Sequence, residues 1–359
     1  MRVLITGGAG YGGSGLAENL VKRGHEVTLL DITAPNEAWR VKELVDNNKI
    51  KYLWKSVHDI KSEDINGIDV VVHMAAQADV PLGFSAPVWT VWEESMGTTI
   101  LLEACKNKPI KKFLLASTGN VIGRPLYIPI DEKHPIVPHN PYSAAKASQE
   151  ILAWAYHRAY NLPVAVMRNG IVYGPKMRKN IFLYIWLKNI LQGKPIVIEG
   201  GEQTRDPCFC EDTIDVWTKI VEAPENKIAG YTFQVSKGVE WTMEDMARLC
   251  MKVAGKEVPI KYVDYRPGEK GQRECFDNSF AKKQVGYEPK FDLEEGLKIL
   301  WEWVKKEESK HKIIELEEGL RYMERGLKLL WDGVNKEREQ IPDENLIKDK
   351  EYAMMHNTF

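Results

Sequence analysis

The chain has 359 residues, 44% of them hydrophobic, and a formal net charge of −2. That is enough for two lobes with a sizeable core, and the charge balance gives no reason to expect nucleic acid or a membrane surface as partner. No apolar run approaches the ~20 residues needed to span a bilayer, and a first strand starting at residue 2 leaves no room for a signal peptide, so a cytoplasmic protein is expected. The five cysteines Cys105, Cys208, Cys210, Cys250 and Cys275 are odd in number and lack repeated CxxC spacing, so neither a disulfide framework nor a metal site is expected.

In chain order, Val3, Leu4 and Ile5 form an unbroken apolar run, as a strand buried on both faces requires. A turn with five glycines among the seven residues Gly7 to Gly13 follows. From Ser14 to Arg23 the apolar positions Leu16, Leu20 and Val21 recur at helical spacing, and a second strand ends at Asp31. Strand, glycine turn, helix, strand and acid make a dinucleotide-binding unit. Gly7 permits the turn, Gly10 lets backbone amides approach a pyrophosphate at the positive helix end, and Gly13 allows close helix–strand packing. Asp31 stands where a ribose hydroxyl is bound and repels a 2′-phosphate, so NAD is expected over NADP.

A helical stretch is expected over Glu37–Asn47, then the strand IKYLW and an extended segment ending at Asp59. The buried strand IDVVVHMAA, the helix GTTILLEACK, the strand KKFLLAST, the long helix YSAAKASQEILAWAYHRAY and LPVAVMRNGIVYG follow. Alternation of this kind predicts an α/β fold, a doubly wound parallel sheet covered on both faces, over residues 1–175. Residues 176–308 are read as a smaller substrate-binding lobe able to exchange segments with the first, with helices at Phe182–Gln192 and Met243–Ala254 and a strand at YTFQVS. Cys208 and Cys210 alternate as strand residues do. The phrases at 294–307 and 324–337 echo one another, and residues 309–359 are read as a helical appendage with a polar tail, suited either to capping the fold or to an oligomer contact.

Tyr142 and Lys146 lie four apart on one helix face. A nearby ammonium and an oxidised nicotinamide both favour phenolate, which makes Tyr142 a competent base near neutral pH. The strand ending at Ala116-Ser117-Thr118 points its carboxyl end into the same crevice as the glycine turn, and places a hydroxyl there.

Glycine turn, HMAA, ASTGNVIG, YSAAK, RNGIVYGP and QTRD, in this order, resemble the extended short-chain dehydrogenase/reductase family, the branch acting on nucleotide sugars, over residues 1 to about 308. The resemblance implies Tyr142 as acid/base, Lys146 as its partner on the nicotinamide ribose, and Thr118 bonded to the substrate. It places NAD against Gly7, Gly10, Tyr11, Gly12, Gly13 and Asp31, with Asp59 and Ile60 flanking adenine and Met74, Ala75 and Ala76 along the cofactor, beside a packed His73. Arg205 and Asn180 are implied at the substrate diphosphate, which arginine suits by its planar fork; Arg205 paired with Asp206 is the alternative. Lys176, Arg178 and Lys179 stand beside the cleft. A homodimer is expected.

The chain departs from the pattern at Ile171, where asparagine is usual and Asn169 is the available substitute, at Glu94, where asparagine precedes GT, and at Gly12 and Ile122. Gly119-Asn120 replaces the acidic pair with which 4,6-dehydratases remove water. The reading is therefore a nucleotide-sugar epimerase working through a keto sugar. A uronate decarboxylase, a dehydrogenase of a smaller alcohol and a non-catalytic NAD-binding sensor are the alternatives.

Overall fold

Seven parallel strands form the central sheet of the computed structural model, which describes residues 1–310 together with Met323 and Lys328. Strands β1 (Arg2–Thr6), β2 (Glu26–Asp31), β3 (Lys51–Trp54), β4 (Val70–His73), β5 (Lys112–Thr118) and β6 (Val164–Asn169) are followed, much later in the chain, by Thr232–Val235. Their spatial order is β3-β2-β1-β4-β5-β6 and then Thr232–Val235. The chain thus reverses direction across the sheet between β1 and β4, and a crevice opens at their carboxyl ends.

β1 is buried on both sides because helices cover both faces: Val3 and Ile5 face the core with Leu16, Leu20, Val216 and Trp217, and Leu4 faces the one with Leu101, Phe113 and Ala153. The first helix, Tyr11–Lys22, begins three residues before the sequence reading placed it. Gly12 and Gly13 already have helical geometry, since a helix needs no side chain at its first turn when its amides are kept open. The long helix Pro141–Tyr160 starts on Asn140, whose side chain accepts from the Ser143 backbone N–H at 2.8 Å, with proline at the first turn. It stops at Asn161 in the left-handed conformation, φ 54°, as helix ends do.

The chain then builds a second core from Tyr184, Trp186, Leu187, Met246, Leu297 and Leu300, around the helices Phe182–Gln192 and Met243–Ala254 and the parallel pair Ile196–Glu199 with Ile260–Val263. Between these passages the helix Cys210–Glu222 and the strand Thr232–Val235 return to the sheet. Residues 1–304 form one compact unit, and residues 305–310 are helical. The echo at 324–337 and most of the appendage lie outside the described residues.

Three local expectations are corrected. The helix expected over Glu37–Asn47 is only Lys42–Asp46; the residues before it form turns, through which Ala38 and Val41 enter the core. The extended segment ending at Asp59 closes in a 3₁₀ turn, Val57–Asp59, capped by Ser56. Cys208 lies on the short strand Pro207–Phe209, whereas Cys210 opens a helix. All five cysteines are free. Among the described residues no helix is long and apolar enough to cross a membrane, and no group of three or more His, Cys, Asp or Glu side chains is placed to hold a metal ion.

Candidate active site

The glycine turn is as tight as its composition requires. Gly7 has φ +67°, and a Cβ there would lie 2.7 Å from the Ala75 backbone nitrogen; one on Gly13 would lie 2.4 Å from the Gly7 carbonyl oxygen. Gly12 is different, since a Cβ would meet only the Met74 sulfur at 3.6 Å. No side chain caps the helix that follows and its first turn holds no acid, so the positive helix end is left for a ligand's negative charge. Asp31 accepts from the Ala9 and Thr33 backbone N–H groups, both at 2.9 Å, which fixes its carboxylate beside the turn. Met74, Ala75 and Ala76 follow β4 along the opposite wall, the Ala75 N–H donating to Thr6 at 3.2 Å. A dinucleotide fits this set: a backbone cradle, an open helix end and a fixed acid at ribose distance along one βαβ unit.

Other residues of that side divide. Ile60 is buried under the sheet while Asp59 is exposed. Tyr11 turns its ring away from the glycines and into the second core, its hydroxyl toward Cys210. His73 is wholly buried between the Thr6 and Thr98 hydroxyls at 2.8 and 3.0 Å. Burial, with Lys146 nearby, drives its pKa down to about 3, so it stays neutral and structural.

Thr118 ends β5 beside the first turn of the long helix. Its hydroxyl accepts from the Asn120 N–H at 3.2 Å and is a hydrogen-bond partner of the Tyr142 phenol. Tyr142 is 7% exposed. Lys146, one turn on, donates to the Ala116 carbonyl at 3.0 Å and to Gln149 at 2.8 Å, and pairs with Glu94 at 3.3 Å. Burial first, and then the Glu94 carboxylate, push the Tyr142 pKa well above that of a free phenol, against smaller opposing effects of Arg178 and Thr118.

The substrate side is less as expected. Arg205 is 8% exposed and does not pair with Asp206. Its guanidinium donates to the Thr204 carbonyl at 2.8 Å and lies 3.6 and 3.7 Å from Glu269 and Glu274. Asp206 instead accepts from the backbone of Gly238 and Phe276 at 3.0 and 2.9 Å. Asn180 is exposed and donates to the Asp79 carboxylate. Both amide protons of Asn169 go to the Ser117 and Met167 carbonyls, at 3.1 and 3.2 Å, and its oxygen accepts from Trp217 at 3.0 Å. The side chain thereby ties β6 to β5 and to the helix Cys210–Glu222. Lys176 pairs with Glu18 at 2.7 Å, whereas Arg178 faces Tyr142.

Sequence reasoning missed four residues of this cluster. Gln149 was detectable as the i+3 neighbour of Lys146 on one helix face. Glu94 stood out as a departure, yet nothing in the sequence tied it to Lys146. Gln272, which donates to the Asn120 side chain at 3.0 Å, and Phe276, whose ring a Cβ at Gly119 would meet at 2.2 Å, come from a distant loop without a motif.

The family model described as GDP-mannose 4,6 dehydratase matches residues 4–300. A trifunctional UDP-glucose 4,6-dehydratase/UDP-4-keto-6-deoxy-D-glucose 3,5-epimerase/UDP-4-keto-L-rhamnose-reductase of Arabidopsis thaliana is 31% identical over 84% of this chain, which spans only 46% of that protein. A UDP-glucuronate 4-epimerase of Thermodesulfobacterium geofontis is 29% identical over 84% of this chain and 95% of its own. The crystal structure of UDP-glucuronic acid 4-epimerase from Bacillus cereus, in complex with UDP-glucuronic acid and NAD, superimposes with a TM-score of 0.80 at 28% identity, covering 85% of this chain and 99% of that one.

Proposed function

Since the chain belongs to the GDP-mannose 4,6-dehydratase family, within the nucleotide-sugar branch of the extended short-chain dehydrogenase/reductases, we propose that it is an NAD-dependent epimerase of a nucleoside-diphosphate sugar, with a UDP-hexuronate or UDP-hexose as substrate. The observation that carries epimerisation over dehydration is at Gly119 and Asn120. Loss of water from the sugar needs an acid and a base at that wall. Here Phe276 fills the space a side chain at 119 would use, and the carboxamide of Asn120 is held by Gln272 and Thr118. Tyr142, Thr118 and Lys146 remain, which suffices to move one proton on and off a sugar hydroxyl.

In this reading Gly7, Gly10, Gly12 and Gly13, with the backbone of Tyr11, hold the pyrophosphate, and Asp31 takes the adenosine ribose hydroxyls. Asp59 and Ile60 flank the adenine, and Met74, Ala75 and Ala76 line the remainder. When bound, NAD would supply the redox chemistry, with hydride taken from a sugar carbon and given back to the opposite face of the keto carbon. Tyr142 accepts the hydroxyl proton, Thr118 orients the same oxygen, and Lys146 reaches the nicotinamide ribose. Arg178, Asn180 and Arg205 are the candidates for the diphosphate, Arg205 being held meanwhile by Glu269 and Glu274. Residues 1–175 carry the cofactor and 176–308 most of the sugar nucleotide contacts. Exposed Val88, Trp89, Trp92 and Ile151 support a homodimer through that apolar face, and the unpaired thiols support a cytoplasmic location; light scattering of the purified chain checks the dimer.

The test supplies UDP-glucuronate or UDP-glucose with NAD and resolves the products by chromatography. The 4-epimer without net NADH is expected. A 4-keto-6-deoxy product would overturn the reading, and stoichiometric NADH or carbon dioxide would move it to dehydrogenase or decarboxylase.

A further inference from the structure

Glu94 lies on a turn of π-helix, Trp92–Met96, set between the helices Pro87–Val91 and Gly97–Cys105. The wider turn re-aims a side chain that a regular helix would place elsewhere, and such turns recur at functional sites. Glu94 is 0% exposed. Lys146 is the cation beside its carboxylate, and neither carboxylate oxygen has a well-formed hydrogen bond to another side chain. Lys146 donates to the Ala116 carbonyl at 3.0 Å and to Gln149 at 2.8 Å, and its ammonium lies 3.3 Å from the Glu94 carboxylate, the longest of the three contacts.

A buried acid left beside a single cation is expensive to keep. It also cancels the charge that Tyr142 depends on. We propose that Glu94 is a positioning residue that governs Tyr142 through Lys146: it holds and partly neutralises the ammonium, and thereby sets the pH at which the Tyr142 proton can leave. The proposal rests on the functional reading above. The charged and titratable groups around the pair act in both directions. Tyr142 faces Glu94 and Asp79, which oppose its ionisation, and Arg178, which favours it. Glu94 faces Lys146 and, on its own turn, Glu93, and burial raises its pKa. His73, across from Lys146, is neutral and adds no charge.

The experiment titrates the protein saturated with NAD by phenolate absorbance, taking the difference from the matching Tyr142→Phe protein so that only Tyr142 is seen. Glu94→Gln keeps the shape and removes the charge. Its midpoint should fall by about 1–2 pH units, the size expected for a nearby like charge. Glu93→Gln, on the same turn but bonded to His58 at 3.2 Å, should leave the midpoint in place. An unmoved midpoint in Glu94→Gln, or an equal fall in Glu93→Gln, would overturn the proposal, since a purely structural Glu94 changes stability and not the titration. Should Glu94→Gln not fold, Glu94→Asn, the residue expected at that position by resemblance, takes its place with the same criterion. Failure of the native chain to bind NAD would overturn the functional reading and this inference with it.

Discussion

The two walls of the crevice differ in how far their polar groups reach for partners. On the cofactor wall the contacts close within one strand–helix–strand unit: Asp31 holds Ala9, and Gly13 packs on Gly7. On the substrate wall each expected side chain is tied to another part of the chain, Arg205 to Glu269 and Glu274, Asn180 to Asp79, Asn169 to Trp217 and Ser117. A residue whose partners are local can be assigned from spacing. One whose partners lie tens of residues away has its surroundings decided by what the fold brings to it, as the bonds of Asn169 to Ser117 and Trp217 show.

The largest expected effect lies where the walls meet. Tyr142→Phe removes the proton acceptor while keeping the ring, and epimer formation should fall by roughly 10²–10⁴-fold. NAD binding, followed by fluorescence titration, should be unchanged; full turnover would break the assignment. Arg205→Ala probes the long-range wall. Removing the guanidinium leaves the buried Glu274 without its cation, while Glu269 keeps Arg266 at 3.7 Å, and urea unfolding should show a loss of about 3 kcal/mol, as for a broken buried pair. Burial already raises the Glu274 pKa with Arg205 opposing. A raised folded-state pKa gives stability at low pH that is lost as pH rises through it, so the deficit of the variant should widen from acid to neutral pH. A variant as stable as the native chain but weak for UDP-sugar would return Arg205 to a pure diphosphate contact.

Gly13→Ala tests the local wall. Its Cβ would sit 2.4 Å from the Gly7 oxygen, and a cost of about 1–3 kcal/mol with weakened NAD binding is expected from overpacking. Gly12→Ala, with 3.6 Å to spare, should cost neither, and equal losses in both would show that the turn is sensitive to any side chain. The smallest effect concerns the joint between the first helix and Cys210–Glu222. Glu222 accepts from Arg23 at 2.7 and 2.6 Å and pairs with His25 at 2.9 Å, which lowers its pKa to about 2 from 4.5. A depressed carboxylate contributes stability above its unfolded value that disappears as pH falls through the folded one. Glu222→Gln should therefore flatten the loss of melting temperature between pH 4.5 and 2, by about 1 kcal/mol for a partly exposed pair.

The sequence by itself determined the parallel sheet, the glycine turn with Asp31, and the placing of Tyr142 and Lys146 on one helix face. All three follow from short-range rules: strand and helix periods, the room a glycine leaves, and the 3.6-residue turn. It could not determine the extent of the helix at Lys42–Asp46, the return of Thr232–Val235 to the sheet, or the partners of Arg205 and Asn169. Only the tertiary structure put Glu94 against Lys146 and Phe276 against Gly119, because desolvation and charge act through space, and their strength depends on which distant segments close over a site and exclude water from it.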